Sequence, residues 1–342
     1  MSRLKRRKMI VACLMSTAIA VVLLGCNACS APQSAQNQSA NGTRQGTSSV
    51  DWKKVDQAMG RTGTMVPGDV YRFSMPRSDL HVTVKGVEIK PALALGSWVA
   101  FKVMTENEVM VMGDMVLAED EVSPVMLKLQ EGGIEQSALH HHVLYESPRV
   151  LYMHIMGHGD PVKIAQAISA ALILTKTPST PPQQPPSAKN DAESGSPAAS
   201  SGGNQSQNIG IDTQQIEGIV GHNGKVNGGV FQISVPRAEK IMDGGMELPP
   251  SMGTATALNF QPTGEGKAAI TGDFVLIANE VNPVIRALRE NGIEVTSLHN
   301  HMLNDSPRIF FMHFWANDNA LKLAHGLRTA LDTTNSVKNQ AK

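Results

Sequence analysis

The amino-acid sequence predicts two tandem domains of the α+β class, each a mainly antiparallel sheet with helices packed on one face. The first observation is an internal repeat, because one shift of 159 residues carries His140 to His299 and Ser147-Pro148-Arg149 to Ser306-Pro307-Arg308. The second is the order of the patterns within each copy, where apolar strands are followed by a helix, a strand–turn–strand hairpin and a last helix. Strands and helices that are segregated in this way are typical of an antiparallel sheet with its helices on one side.

The predicted elements follow one another in chain order. Strands are predicted at residues 70–75, 80–84, 97–103 and 109–117. The next helix is predicted to have Ser123 or Asn282 as its N-cap and Pro124 or Pro283 at its first position, and to end at Gly132 or Gly292. The last helix is predicted to begin at Asp160-Pro161 in the first copy and near Asp318-Asn319 in the second.

Low-complexity segments predict the domain organisation. The predicted parts are a lipoprotein signal peptide (1–25), a flexible tether (26–49), the first repeat (50–175), a Pro/Ser/Gly-rich linker (176–208) and the second repeat (209–335). Each repeat has an ordinary domain size, so each is expected to fold on its own.

The N-terminus predicts an envelope location. A basic stretch precedes the apolar run 9–24, which ends in Leu23-Leu24-Gly25-Cys26 and resembles the lipobox of bacterial lipoproteins. The resemblance implies that Cys26 carries a lipid and that the folded part is extracytoplasmic and anchored to the bacterial membrane. The alternative is an uncleaved N-terminal anchor.

Composition excludes several classes of function. Thirty basic and thirty acidic residues give zero net charge. The sequence contains no basic patch with interleaved aromatic residues, so a nucleic-acid partner is not expected. The sequence also contains no phosphate loop and no dinucleotide fingerprint, so no nucleotide cofactor is expected. All three cysteines precede residue 30, so neither repeat can form a disulfide or a thiolate metal site.

The most specific chemical feature is a histidine-rich hairpin in each copy. Alternation along a strand puts His140 and His142 on one face, and a turn at residues 146–149 is predicted to set His154 opposite His140. The second copy has the equivalent residues His299, His301 and His313. Each trio is therefore predicted to bind one divalent transition metal, whose identity stays open among the metals that imidazole suits. The alternative is a hydrogen-bonded structural network.

The surroundings of these histidines predict where the site lies. The opposite face of each hairpin is mostly apolar and is expected to pack on the helices. The imidazoles share their face with residues such as Tyr152 and Met156 in the first copy and Phe311 and Trp315 in the second. This pattern predicts a partly enclosed pocket or the interface between the repeats.

Polar residues that both copies contain are weaker candidates. Possible fourth ligands, or hydrogen-bond partners that orient the rings, are Asp114, Glu121, Asp273 and Glu280. For the glutamates, compensation of the helix N-terminus is the simpler role, and for the aspartates a turn. Possible anion-binding residues are Arg77, Arg149, Arg237 and Arg308, for which a surface ion pair is the simpler role.

The pattern Gly-Asp-Phe-Val-Leu, Glu-Val-Asn-Pro-Val, Gly-Ile-Glu-Val-Thr-Ser-Leu-His-Asn-His and Ser-Pro-Arg-Ile-Phe-Phe-Met-His-Phe at 272–314 resembles the LppY/LpqO-type family of bacterial proteins, many of them lipoproteins. The first copy departs from it at His141 and at Gln136-Ser137-Ala138. The resemblance covers both repeats and implies an envelope location but no reaction.

The expected function is a lipid-anchored metal-binding protein. The alternatives are a metal-dependent extracytoplasmic enzyme with an open coordination position, and a purely structural or ligand-binding surface module.

Overall fold

The computed structural model describes residues 50–179 and 209–338. The predicted signal peptide, Cys26, the tether and most of the predicted linker lie outside the described residues. Within the described ranges, no helix has the length and apolar character needed to cross a membrane.

The two repeats contain the same elements in the same order. In the first repeat they are α1 (Trp52–Met59), β1 (Thr64–Val66), β2 (Val70–Pro76), β3 (Thr83–Val84), β4 (Val87–Glu88), β5 (Gly96–Val103), β6 (Val109–Ala118), α2 (Val122–Glu131), β7 (Glu135–His140), β8 (Glu146–Ser147), β9 (Val150–Gly159) and α3 (Pro161–Leu172). In the second they are α4 (Thr213–Val220), β10 (Gly224–Asn227), β11 (Val230–Pro236), β12 (Ile241–Asp243), β13 (Met246–Leu248), β14 (Ala255–Gly264), β15 (Lys267–Ile277), α5 (Ala278–Glu290), β16 (Glu294–His299), β17 (Asp305–Ser306), β18 (Ile309–Asn319) and α6 (Ala320–Leu331).

Each repeat is built on a six-stranded antiparallel sheet, which confirms the predicted fold class. The strand orders are β1-β2-β5-β6-β9-β7 and β10-β11-β14-β15-β18-β16, so β7 and β16 lie at sheet edges. A small three-stranded sheet accompanies each large one, with the orders β4-β3-β8 and β13-β12-β17.

One face of each large sheet is covered by the helices of its own repeat. In the first repeat, Ile164 and Ile168 of α3 belong to the same buried cluster as Phe73 and Phe101 of the sheet. Burying an aliphatic or aromatic side chain of this size contributes about 1.5–3 kcal/mol. The helices α1 and α4, which the sequence did not predict, join these clusters through residues such as Val55.

The other face of each sheet packs against the other repeat. One buried cluster joins Met112 and Met156 of the first repeat to Val275 and Phe311 of the second. Another joins residues of the first repeat, including Tyr152, to Val230, Ala269 and Trp315. Both repeats also belong to one compact unit. Each repeat therefore completes part of its core with the other, and independent folding of the repeats stays a prediction.

The central helices begin earlier than the sequence predicted. α2 begins at Val122, after a 3-10 turn at Glu119–Glu121, and α5 begins at Ala278. The carboxylates of Glu121 and Glu280 accept hydrogen bonds from the main-chain N–H groups of Ala118 and Ile277, which fixes these earlier starts. The prolines at 124 and 283 consequently lie within the helices. The predicted strand 80–84 is also shorter, because only Thr83–Val84 pairs.

Candidate metal centre

The histidine hairpins differ in register from the prediction. His140 lies opposite Tyr152, and Ala138 lies opposite His154; a bulge at Ser137 then changes the pairing of β7 with β9 by one residue on the side away from the turn. The second repeat has the same register and an equivalent bulge at Thr296: His299 lies opposite Phe311, and Ser297 lies opposite His313. The prediction that His154 and His313 lie directly opposite His140 and His299 is therefore wrong by two residues.

His142 and His301 lie beyond the ends of β7 and β16, not on those strands. The bulges explain how their positions are fixed. Thr296 Oγ1 donates a 2.5 Å hydrogen bond to the main-chain oxygen of His142, and the hydroxyl of Ser137 donates to the main-chain oxygen of His301. Bulges commonly re-aim a side chain in this way. Each repeat therefore holds a histidine loop of the other.

All six histidines of the two predicted trios meet at the interface of the repeats. The ring centroids of His140 and His299 are 3.6 Å apart, those of His154 and His301 are 3.7 Å apart, and those of His142 and His313 are 3.9 Å apart. Three sets can place one donor atom each within 4.8 Å of the others: His140/His142/His154, His140/His299/His313 and His154/His299/His301. Two of these sets mix the repeats, so the histidines form one shared cluster.

The hydrogen bonds of the rings indicate which nitrogens carry protons. His313 Nδ1 lies 2.7 Å from the main-chain oxygen of Gly272, and His140 Nδ1 lies 3.0 Å from that of His141. A carbonyl oxygen only accepts, so each Nδ1 carries the proton and each Nε2 presents a lone pair. The ring of His154 is held in a similar way by the backbone of Gly113.

The Nε2 atoms of four rings face one another in pairs inside the cluster. His140 Nε2 and His154 Nε2 are 2.9 Å apart, and His299 Nε2 and His301 Nε2 are 3.1 Å apart. His313 Nε2 is buried and makes no hydrogen bond to any described residue. Facing lone pairs repel unless a cation lies between them.

Protonation does not supply that cation at neutral pH. The pKa of His140 is lowered to about 4, mainly by burial, and that of His313 is lowered to about 3 by burial and by the neighbouring imidazole of His140. Burial also lowers the pKa values of His142, His154, His299 and His301, again with contributions from neighbouring imidazoles. Neutral imidazoles with directed lone pairs are the form that binds transition metals.

Two buried carboxyl groups lie beside the histidines. Asp114 Oδ2 is 3.5 Å from His142 Nε2, and Asp273 Oδ2 is 3.4 Å from His301 Nε2. The Oδ1 atoms of both aspartates are buried and make no hydrogen bond to any described residue. Burial raises the pKa of Asp114 to about 8, and burial and the nearby Asp114 raise that of Asp273 well above its usual value. Such carboxyl groups favour a bound cation.

The structure places Glu121 and Glu280 in a different role. Glu121 pairs with the fully buried guanidinium of Arg77 at 2.7 Å and also accepts from the N–H of Lys176. Glu280 pairs with Arg237 at 2.7 Å. Each glutamate therefore connects an arginine after a strand, the start of a helix and the segment that follows the last helix of its repeat, and the structure does not bring them to the histidines.

The four candidate anion-binding arginines are engaged in ion pairs. Arg77 also binds Asp79 and the carbonyl of Val116, and Arg237 binds the equivalent groups, so both guanidinium groups are saturated. Arg149 lies 3.8 Å from Glu119 at an exposed site. Arg308 binds Asp305 at 2.9 Å. The surface ion pair expected from sequence is found for Arg149 and Arg308, whereas the ion pairs of Arg77 and Arg237 are buried.

Two kinds of site residue were missed or undervalued from sequence. Ser137 and Thr296 occupy equivalent positions, and the hydroxyl group that both copies keep there could have indicated a shared role. Tyr152 stacks on His142 with centroids 3.3 Å apart, and Phe311 stacks on His301 at the same distance. Alternation along the strands predicts these rings on the histidine face, but it does not predict that they stack on the imidazoles.

The fold and the site define a tandem-repeat protein with a histidine cluster shared between its two repeats. The chain belongs to the family described as Domain of Unknown Function (DUF1259), whose profile matches residues 53–173 and 214–333. No curated protein matches the chain. Among solved structures, a trimeric bacterial microcompartment shell protein, PduB, is similar over 80% of this chain and 93% of its own. The identity is 11% and the TM-score is 0.20, a value that does not show a common fold.

Proposed function

We propose that the histidine cluster binds a divalent transition metal at the interface of the repeats. The observation that carries the proposal is the 2.9 Å contact between His140 Nε2 and His154 Nε2. The Nδ1 proton of His140 goes to a carbonyl oxygen, and the ring of His154 is hydrogen-bonded to the backbone of Gly113, so neither ring places a proton in the contact. A metal ion removes the repulsion and uses both lone pairs.

The distances between donors fit this proposal. With metal–nitrogen bonds of about 2.0–2.1 Å, two imidazole nitrogens lie about 2.9 Å apart at a right angle and about 3.4 Å apart at a tetrahedral angle. The two close Nε2 contacts, 2.9 and 3.1 Å, lie in this range. Imidazole suits zinc, copper, iron and nickel, so the donors leave the choice among these metals open.

The proposal places this metal site in the bacterial envelope. The basic and apolar residues before Leu23-Leu24-Gly25-Cys26 support a lipid anchor on Cys26. The resemblance to the LppY/LpqO-type family supports the same location. In the test, Cys26→Ser is compared with Cys29→Ser by cell fractionation and mass measurement. Loss of membrane retention and of the lipid mass is expected only for Cys26→Ser, and unchanged retention and mass would contradict the anchor.

A second candidate function is a metal-dependent extracytoplasmic enzyme. His140 and His299 are only partly buried, so one side of the cluster is reachable from solvent. A metal with an open coordination position there would supply Lewis acidity or an activated water. A coordination sphere filled by protein donors would instead favour binding without turnover, and a protein that takes up no metal would be a structural or ligand-binding module.

The metal proposal is tested by measuring the metal content of the purified full chain, alongside His140→Ala and His299→Ala. His81→Ala is the matched control, because the His81 side chain is 83% exposed. Both site variants are expected to lose metal affinity by at least about 10-fold, since loss of a mere ligand-orienting residue costs that much. A wild-type chain that is isolated without metal and takes up no zinc, copper, nickel or iron at neutral pH would overturn the proposal.

A further inference from the structure

The cluster holds more donors than one metal ion can use. Six imidazoles and two carboxyl groups lie together, and a first-row divalent ion takes four to six ligands. One ion would leave at least two of these donors without a metal bond, and an unpaired buried polar group destabilises the folded chain. We propose that the interface binds two divalent transition-metal ions, an inference that rests on the metal-binding function proposed above.

The geometry defines a first half-site around Asp273. His154, His299 and His301 place donor atoms within 4.8 Å of one another, and Asp273 Oδ2 lies 3.4 Å from His301 Nε2. Three imidazoles and one carboxylate make a four-coordinate set of the kind that zinc and its neighbours accept. Two of the imidazoles and the carboxylate come from the second repeat, and His154 comes from the first.

The internal repeat generates the second half-site. By repeat equivalence with His299, His301, His154 and Asp273, it consists of His140, His142, His313 and Asp114. In this structure the donor atoms of His140 and His142 group within 4.8 Å with that of His154, and those of His140 and His313 with that of His299, so the internal repeat is what assigns His142 and His313 to one half-site. Asp114 Oδ2 lies 3.5 Å from His142 Nε2, and the rings of His142 and His313 are 3.9 Å apart. In this half-site the first repeat supplies three of the four donors, and His313 is the one donor from the second repeat. Neither half-site is complete without both repeats.

The two half-sites are adjacent. The ring centroids of His140 and His299, one from each half-site, are 3.6 Å apart. The two carboxyl groups are also close enough to interact electrostatically. Two ions in such a site are expected about 3.5–4 Å apart, as in other two-metal centres. The carboxylates would neutralise part of their charge.

The stoichiometry of the purified full chain tests the inference, with Zn²⁺ or Cu²⁺ alone as the probe in equilibrium dialysis. Two ions per chain are expected for the wild type, and one each for Asp114→Asn and Asp273→Asn. Asp318→Asn is the matched control, because Asp318 lies at an exposed ion pair with Lys322. Thermal unfolding of the metal-free variants shows whether each remains folded. His154→Gln and His313→Gln repeat the test from the opposite repeat.

Each outcome decides between the proposals. No bound metal in the wild type would overturn metal binding itself, whereas one ion per chain would overturn only the two-ion centre. Two ions in the wild type and in both aspartate variants would overturn the assignment of the half-sites. In the copper-loaded protein, ions at this separation couple magnetically, so the integrated electron paramagnetic resonance intensity is expected to fall below the copper content. Full intensity would place the ions too far apart for a shared centre.

Discussion

Thr296 Oγ1 donates a hydrogen bond to the main-chain oxygen of His142, 2.5 Å away in the other repeat. Ser137 makes the equivalent bond to the main-chain oxygen of His301. Both hydroxyl groups lie on the bulged residue of an edge strand, so a local irregularity of each sheet becomes a contact with the opposite histidine loop. The loops are therefore positioned from outside their own repeat.

Replacing Thr296 with Val removes this hydrogen bond at nearly constant shape. We expect metal affinity to fall by about 2- to 10-fold, because losing such a bond costs about 0.5–1.5 kcal/mol. Titration with Co²⁺ followed by visible absorption measures both the affinity and the ligand geometry. Thr296→Ser reproduces the residue of the first repeat and is expected to retain wild-type binding. Equal affinities and spectra for the Val and Ser variants would contradict the positioning role.

The buried ion pair of Arg77 with Glu121 is expected to matter for folding and not for metal binding. Arg77→Met leaves Glu121 buried and unpaired, so the free energy of unfolding is expected to fall by about 3–5 kcal/mol. The exposed pair of Arg149 with Glu119 provides the control, and Arg149→Met is expected to cost less than about 1 kcal/mol. Urea denaturation measures both. A similar small loss in the two variants would contradict the structural role, as would loss of metal from folded Arg77→Met protein.

Protonation of His222 is expected to contribute to the pH dependence of the free energy of unfolding. It is 6% exposed, and burial and the nearby Arg328 lower its pKa in the folded protein. Below about pH 6.5 the unfolded chain therefore binds a proton at His222 more readily than the folded chain, so stability falls as the pH falls. His222→Gln is expected to reduce this slope by up to about 1.4 kcal/mol per pH unit. Denaturation of both proteins between pH 7 and pH 5 measures the difference, and parallel curves would contradict the prediction.

Cutting the chain between the repeats is expected to leave them associated. The composition of residues 176–208 predicts a protease-sensitive linker, and the two apolar clusters shared by the repeats remain buried after a cut there. A specific protease site introduced near residue 195 allows a single cleavage. Gel filtration under native conditions is expected to show both halves eluting together with their metal. Separate elution of two folded halves would instead support independent domains.

Much of the fold was predictable because its signals are local. The duplication, the long strands and the last helices follow from periodicity, from N-cap residues such as Asp160 and from the internal repeat. Alternation also places His140, Tyr152 and His154 on one face of their hairpin. These patterns depend on neighbours a few residues away in the chain, and the structure contains them where the sequence predicts them.

The rest of the site depends on contacts that no local pattern contains. The connection between β7 and β9 sets a register in which Ala138, not His140, lies opposite His154, and the bulge at Ser137 shifts the pairing by one more residue towards the start of β7. The docking of one sheet on the other then mixes the two predicted trios. The helix starts were missed for a similar reason, since the carboxylate of Glu121 is held by Arg77, which lies far away in the chain.

The covalent link between the repeats frees the two halves of the centre to evolve separately. In a dimer of identical chains every substitution appears on both sides of the symmetry axis, whereas here each side changes alone. Tyr152 and Phe311 stack on equivalent histidines but differ by one hydroxyl group, which is buried and makes no hydrogen bond to any described residue. His141 binds Glu146, while its counterpart Asn300 binds only a main-chain oxygen among the described residues. One polypeptide thus carries two chemically distinct halves of a single centre.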